Sequence, residues 1–345
     1  MGRATLVAAA AVGVVLTFPS EGSGALPPKG TRLTVAATGD FLIHTPVFRR
    51  ALAYGKGRRY DFRPMFRKIR PVLTRADIAL CHVETPLVPG RPRSYPSFRT
   101  PVALATAIRH AGWDACSTAS NHTLDAGRHG VNTTLAALKA AGIARTGSYR
   151  KRSEARRPAM VEAKGVKVAF LAYTALTNGQ RIPHPWILNM ASPRRILRDA
   201  RDARRSGANA VIVNLHWGDE YRSSPSRAQR SLAGALTRSK LVTAVVGQHA
   251  HVVQPIRWIN GKPVVFGEGN LISDQSAACC PPATQDGLIA LLELRVGATG
   301  VTAKRVRYLP TYVRRPDYTV VRARGASRAR TIRVVGRSKR VVPVR

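Results

Sequence analysis

Between Thr31 and about Pro310 the chain alternates short apolar runs with amphipathic stretches, and this rhythm limits the folds open to it. The runs are "RLTVAATG", "DIALCHVE", "WDACSTAS", "KVAFLAYT", "NAVIVNLHW", "VTAVVGQHA", "KPVVFGEGN" and "GLIALLELRV". Each is short, apolar and bounded by turn residues, which reads as a buried strand. Helices fit between them. "RHGVNTTLAALKAAG" closes on Gly142, and "SPRRILRDARDARRSG" closes on Gly207, glycine being the usual residue just past a helix end. Strands alternating with such helices predict an α/β fold with a largely parallel central sheet, as one domain over residues 31–310. After that the composition shifts. Asp317 is the only acid among many arginines, so residues 311–345 read as a basic edge strand and a solvated tail.

The carboxyl ends of these runs carry unusual residues. "TVAATGD" delivers Asp40, "IALCHVE" delivers Glu84, and "CSTASNH" delivers Asn121 and His122. "VIVNLHW" delivers His216, and "VVGQHAHVVQP" delivers His249 and His251. The last two stand at i and i+2, where side chains of an extended segment point the same way. Sites in open α/β sheets form beyond the carboxyl ends of the strands. One such residue alone has an ordinary explanation: Asp40 can cap a helix, and His216 can be a satisfied buried histidine. Five strand ends together predict a metal site.

Carboxylate, amide and imidazole donors without thiolate suit Mn, Fe or Zn. Glu84 can bridge two cations, with Asp40 and the histidines completing the shells. A pair of metals about 3.5–4 Å apart activates water and clamps a phosphoryl oxygen. His122 directly follows the amide ligand and is the candidate to stabilise or protonate a leaving oxygen. Asp125, three residues on, either orients that imidazole or serves as a turn or helix cap.

At this level of detail the chain resembles a known family. "GDFLIH", "HVETPL", "SNHTLDAG", "NLHWGDEY", "GQHAHVVQP" and "FGEGNLISDQ" occur in the order and spacing of the CapA family, the capsule or poly-γ-glutamate synthesis proteins. That family looks like a branch of the calcineurin-like metallophosphoesterases. The resemblance covers about residues 33–310. It implies a four-layer α/β/β/α sandwich of the metallophosphoesterase type, with two divalent metal ions. Asp40, Glu84, Asn121, His216, His249 and His251 fall on the metal-ligand motifs, and His122 on the catalytic histidine. The departures are specific. The broader phosphoesterases open with Asp-x-His, whereas here His44 stands four residues after Asp40. Glu84 takes the place of a bridging aspartate. His82, two residues before Glu84, is expected to support a ligand rather than be one. Asn270 and Asp274 lie in a family motif without a derivable role, and His110, His129 and His184 read as structural or surface histidines.

Charge and export narrow the partners. Lys+Arg total 56 against 18 Asp+Glu, a formal net charge of +38, which attracts polyanions: nucleic acid, cell-wall polymer or an acidic membrane surface. The competing explanation is a general preference for arginine with no specific partner. Nucleic acid ranks last, because no recognisable binding motif is present and aromatics are only 6% of the chain. The run Ala4–Phe18 after Arg3, followed by small residues to Ala25, reads as a secretory signal over residues 1–25. An uncleaved anchor is the alternative, and either places the chain outside the cytoplasm or in the envelope. Four cysteines make no disulfide framework: Cys279 and Cys280 are adjacent, and a Cys81–Cys116 bridge is conceivable but buried thiols are expected. Two functions follow: an exported metal-dependent hydrolase acting on a phosphoester or anionic surface polymer, or a non-catalytic component of capsule or poly-γ-glutamate synthesis, export or anchoring.

Overall fold

The computed structural model describes residues 27–155 and 157–344. The expected signal segment lies outside them. In chain order, β1 (Arg32–Phe41), β2 (Ile78–Val83), β3 (Ala115–Ser117) and β4 (Ala144–Thr146) begin a first sheet. A second sheet is built from β5 (Ala159–Ala163), β6 (Val166–Thr174), β7 (Ala210–His216), β8 (Ala244–Gln248), β9 (Ile256–Ile259) and β10 (Lys262–Val265). The chain then returns to the first sheet with β11 (Asn270–Ile272), β12 (Asp286–Gly297), β13 (Gly300–Arg314), β14 (Thr319–Arg322) and β15 (Val341–Pro343). The helices are α1 (Thr45–Tyr54), α2 (Arg63–Phe66), α3 (Arg70–Arg75), α4 (Ala103–Ala111), α5 (Gly127–Ala140), α6 (Arg152–Ala155), α7 (Pro193–Arg205), α8 (Arg227–Arg238) and α9 (Gly325–Val335).

Strand periodicity sets the layering. Leu33, Val35 and Ala37 of β1 point into a core shared with Val168 and Phe170 of β6 and Ile212 of β7, so the two sheets pack face to face. Ala36 and Phe41, on the other face of β1, join Val47, Phe66, Leu104 and Leu138 under the first set of helices. On the outer face of the second sheet, Ala169 and Val211 pack with Ile196 and Ala200 of α7 and Leu236 of α8. The result is the four-layer α/β/β/α sandwich. The residue pattern by itself pointed to one largely parallel sheet. The first sheet is instead mixed, parallel from β1 through β2 and β3 to β4, and antiparallel from β1 through β12 and β13 to β14. In the second sheet β6, β7, β8 and β10 are parallel, with β5 and β9 antiparallel at the edges.

Two sequence expectations are corrected. The stretch after residue 310 is not a solvated extension. β13 runs through that boundary, and the chain returns through α9 to pair β15 with β13 in parallel. Val335 of α9 and Val341 of β15 enter the inter-sheet core, and Arg330 of α9 is paired with buried Asp286 of β12 at 2.5 Å. The arginines at the intervening positions hid this alternation. Second, Cys81 and Cys116 are not free thiols but a disulfide. They face each other in register on neighbouring parallel strands with Cα atoms 4.4 Å apart, within the span a disulfide bridges. Cys279 and Cys280 are also joined, although sequence neighbours seldom pair. Among the described residues, no helix is long and apolar enough to cross a membrane.

Candidate metal centre

The carboxyl ends of β1, β2, β3, β7 and β8 meet above the seam between the sheets. Asp40 reaches the centre through a β-bulge. Ala37 pairs with Leu80 and Asp40 with His82, so β1 carries one more residue than β2 across this interval, and a bulge re-aims the side chain that follows it. Gly39 makes room for it, since a Cβ there would lie 1.8 Å from the carbonyl oxygen of Gly269. Asp40 N–H donates to that same carbonyl at 3.0 Å. Just past β8, His249 (φ 91°) and His251 (φ 54°) sit in left-handed backbone, which non-glycine residues seldom adopt outside functional turns. The reading of an extended pair sharing one face is therefore corrected: a tight turn brings both rings inward.

The side chains form a buried cluster. His82 Nε2 lies 3.7 Å from Asp40 Oδ1, and His216 Nδ1 lies 3.8 Å from the same oxygen. His251 Nδ1 is 3.5 Å from Asp40 Oδ2, and its Nε2 is 3.7 Å from Glu84 Oε1. The rings of His82 and His216 stack at 4.8 Å, and His249 lies 4.6 Å from His216. Asp40, His82 and His216 lie close enough to hold one cation, as do Asp40, Glu84 and His251, and also Glu220, His249 and His251. His82 thus stands among the potential ligands, nearer the centre than the supporting role expected of it. Glu220 was missed, although it lies in the quoted "NLHWGDEY" motif, four residues after His216. Asn121 meets the cluster through His216, whose Nε2 is 2.7 Å from Asn121 Oδ1. His44 stands outside these groups: its Nδ1 accepts from Asp274 N–H at 3.2 Å.

Burial dominates the electrostatics. It drives the pKa of His82 down to about 4 and that of His249 to about 3, and puts His216 well below the usual imidazole value. These rings are neutral at pH 7 and present lone pairs. Burial also pushes Glu84 well above the usual carboxylate range. His251 differs: burial pulls it down, but Glu84 and Asp40 more than offset that and hold it at about 10. Six buried polar atoms of this cluster make no hydrogen bond: both ring nitrogens of His82, both carboxylate oxygens of Glu84, and Nδ1 of His216 and of His249. Such atoms are costly when left unpaired. Divalent cations would satisfy the carboxylate oxygens and one nitrogen of each ring, and the all-oxygen-and-nitrogen donor set suits them.

Beside this cluster stands a second arrangement. His122 Nδ1 is 2.8 Å from Asp125 Oδ2, which also accepts Phe98 N–H at 2.7 Å. Asp125 Oδ1 accepts from Gln180 Nε2 at 2.9 Å. With the carboxylate acting as acceptor throughout, Nδ1 of His122 carries the proton and Nε2 is the free position. Phe98 packs edge-on against the imidazole at 4.8 Å. Asn270, without a role in the sequence reading, accepts from His251 Nδ1 at 3.0 Å, while its amide donates to Gln275 Oε1 and Thr284 O, each at 2.9 Å. This fixes the His251 ring with Nε2 toward Glu84. Asp274 bonds Tyr318 and Arg315, tying the C-terminal hairpin to the loop beside His44. His110, His129 and His184 are exposed.

The model of one sequence family, described as bacterial capsule synthesis protein PGA_cap, matches residues 34–275. The chain belongs to this family. Every residue of the cluster lies inside the matched span. The capsule biosynthesis protein CapA of Bacillus anthracis is 27% identical over 282 residues, covering 78% of this chain and 66% of its own. The PGA biosynthesis protein CapA of Bacillus subtilis (strain 168) is 25% identical over 246 residues, covering 68% of this chain and 62% of its own. A probable polyglutamine synthesis accessory protein of Mycobacterium tuberculosis is 27% identical over 220 residues, covering 58% and 57%. This PGA_cap family member thus spans less than two thirds of the length of these relatives. Similar solved structures include the calcineurin-like phosphoesterase YfkN from Bacillus subtilis, with a TM-score of 0.48 and 14% identity over 89% of this chain and 96% of that one. A 5'-nucleotidase precursor from Thermus thermophilus gives a TM-score of 0.47 and 16% identity over 85% and 54%.

Proposed function

We propose that this PGA_cap family member is an exported, metal-dependent hydrolase of phosphoesterase type that acts on an anionic cell-surface polymer. The observation that carries the reading is the set of buried, unpaired nitrogen and oxygen atoms contributed by His82, Glu84, His216 and His249 beside an ordered His122–Asp125 pair. Asp40, Glu84, His216, His249 and His251 would hold two divalent cations (Mn, Fe or Zn), with Asn121 joining through its amide oxygen and His82 and Glu220 as further donors. Bound there, the cations would supply Lewis-acid activation of water and neutralise charge at a phosphoryl group.

The chain's own residues do the rest. Asp125 holds the His122 ring and keeps its Nδ1 protonated, so Nε2 faces outward to hold or deliver a proton at a leaving oxygen. Phe98 covers one side of that ring and restricts water. Asn270 locks His251 so that it presents Nε2. The relatives named for capsule and PGA synthesis support an anionic surface polymer as the molecule handled. The same names favour a second reading, a non-catalytic component of polymer synthesis, export or anchoring.

His122 separates the two. It belongs to none of the ligand groups, so H122A should retain its metals. A hydrolase should then lose about 10²–10⁴-fold in turnover of a generic phosphodiester, the usual contribution of a positioned acid or base. Single-turnover hydrolysis with metal content measured on the same sample is the assay. Unchanged turnover with metals retained removes His122 from the chemistry and favours the non-catalytic reading.

A further inference from the structure

A second concave site lies away from the metal cluster, on the outer face of the second sheet. It is a cavity of about 850 Å³ between the start of α7, the segment leading into β5, and the helix-facing side of β6. Fully buried Tyr173 forms its floor. Five arginines line it (Arg152, Arg157, Arg194, Arg195 and Arg198) against two acids, Asp199 and Asp202.

A basic wall means little by itself in a chain of +38. Three features set this one apart. Arg195 is held in place: its guanidinium donates to Asn189 Oδ1 and to Pro185 O. Its Nε–H is buried with no hydrogen-bond partner, the nearest carboxylate, Asp199 Oδ2, lying 3.8 Å away. That carboxylate is already engaged. Asp199 accepts from Tyr173 Oη at 3.0 Å and from Arg198 at 2.9 Å. Finally, α7 starts at the cavity, with its N-cap Ser192 in the lining; Pro193 has no N–H and Ser192 Oγ accepts from Arg195 N–H, so it is the positive end of the helix dipole that adds to the potential there. A fixed guanidinium with an unfilled donor, surrounded by exposed ones, is a preorganised receptor for an oxyanion.

We infer that this cavity is a second ligand site, which takes an oxyanion carried on a chain, a carboxylate or a phosphate group, with Arg195 as its fixed anchor. The chemistry of the site stands on its own residues, whereas the source of the carboxylates rests on the polymer reading above. A strand held here is gripped apart from the metal cluster, so binding and any cleavage use different residues.

The test is equilibrium binding of a fluorescently labelled γ-linked glutamate oligomer and of inorganic polyphosphate to the full chain. At about 0.15 M salt, charges more than roughly 8 Å apart are largely screened, so a local site outweighs distributed charge. R195Q removes the anchor. R152Q/R157Q removes two exposed rim arginines with no buried contact to disturb. R58Q/R59Q, on an exposed loop elsewhere, is the charge-matched control. Both cavity variants should weaken binding about tenfold or more, the scale of a lost charge-assisted hydrogen bond, and the control less than twofold. Equal losses in cavity and control variants overturn the inference and leave the polymer reading intact. Binding of polyphosphate alone, with the same loss in cavity variants, assigns the oxyanion to phosphate and counts against the carboxylate polymer. No binding of either ligand by the unmodified chain overturns both.

Discussion

Replacing Glu84 with glutamine isolates what the buried cluster is for. The side chain keeps its volume and loses its charge. Neither carboxylate oxygen makes a hydrogen bond, so none is lost. His251 keeps Asp40 at 3.5 Å and its bond to Asn270 at 3.0 Å. The substitution does give up the 3.7 Å ion pair with His251, but Asp40 remains as that ring's second carboxylate partner, so the metal-free E84Q chain should melt only a few degrees below the metal-free parent. The metal-loaded chains should differ sharply. Since each imidazole can ligate through one nitrogen only, five of the unpaired atoms can be satisfied, which at about 1 kcal/mol or more each leaves roughly 5 kcal/mol for ligation to recover. A cation present at a thousandfold excess over its Kd adds about 4 kcal/mol, or about 8 °C in Tm at roughly 2 °C per kcal/mol for a chain of this size. The parent should lose that increment on chelation, and E84Q should lack most of it from the start. The assay is thermal denaturation of both chains, dialysed with chelator and then reloaded with Mn, Fe or Zn. The reasoning fails if chelation leaves the parent's Tm unchanged. It fails equally if E84Q lowers Tm by the same amount with and without metal, because that is the behaviour of an ordinary structural contact.

Other outcomes follow from the same geometry. G39A should misplace Asp40, because its methyl group has no room beside the Gly269 carbonyl; lower Tm together with lost metal, by elemental analysis, checks it. H249A should lower bound metal at least 10–100-fold in affinity, since even supporting groups carry that much, whereas H129A, at an exposed helix position, should bind metal as the parent does. The metal-free chain should lose stability as pH falls from 6.5 to about 4. His44, His82, His216 and His249 all have folded pKa values below the unfolded 6.5, so the unfolded chain takes up protons first. Glu84 and Glu268, raised by burial, oppose this. The net is about two protons, or at most ~2.7 kcal/mol per pH unit, measurable as a falling Tm; a flat profile refutes it.

The sequence exposed the site because strand ends are periodic and short-range. Asp40, Glu84, His216 and His249 each close an apolar run that could be read directly. What could not be read was contributed by loops or by register. Phe98 and Gln180 reach Asp125 from segments 27 and 55 residues away, and no local pattern encodes such meetings. His82 was underweighted because sharing a face with Glu84 suits a ligand and a supporting residue equally. The Cys81–Cys116 pairing depends on which strands are neighbours in the sheet, a property of topology and not of spacing. The last 35 residues hide their part in the core because arginine at outward positions masks the inward Val313, Val320, Val335 and Val341.

The strand order also sets a timetable for the newborn polypeptide. β1 lies between β2, made soon after it, and β12, made near the end, with Leu33 facing Leu294. At roughly 5–20 residues per second, synthesis takes some tens of seconds to cross that gap. Until then one edge of β1 stays unpaired, and the inter-sheet core lacks the side chains of the C-terminal strands, among them Leu292, Leu294 and Val306. Such a chain cannot close its first sheet until late in its emergence. The unpaired edge of β1 is open to chaperones for that interval, and closure comes only when the C-terminal strands arrive.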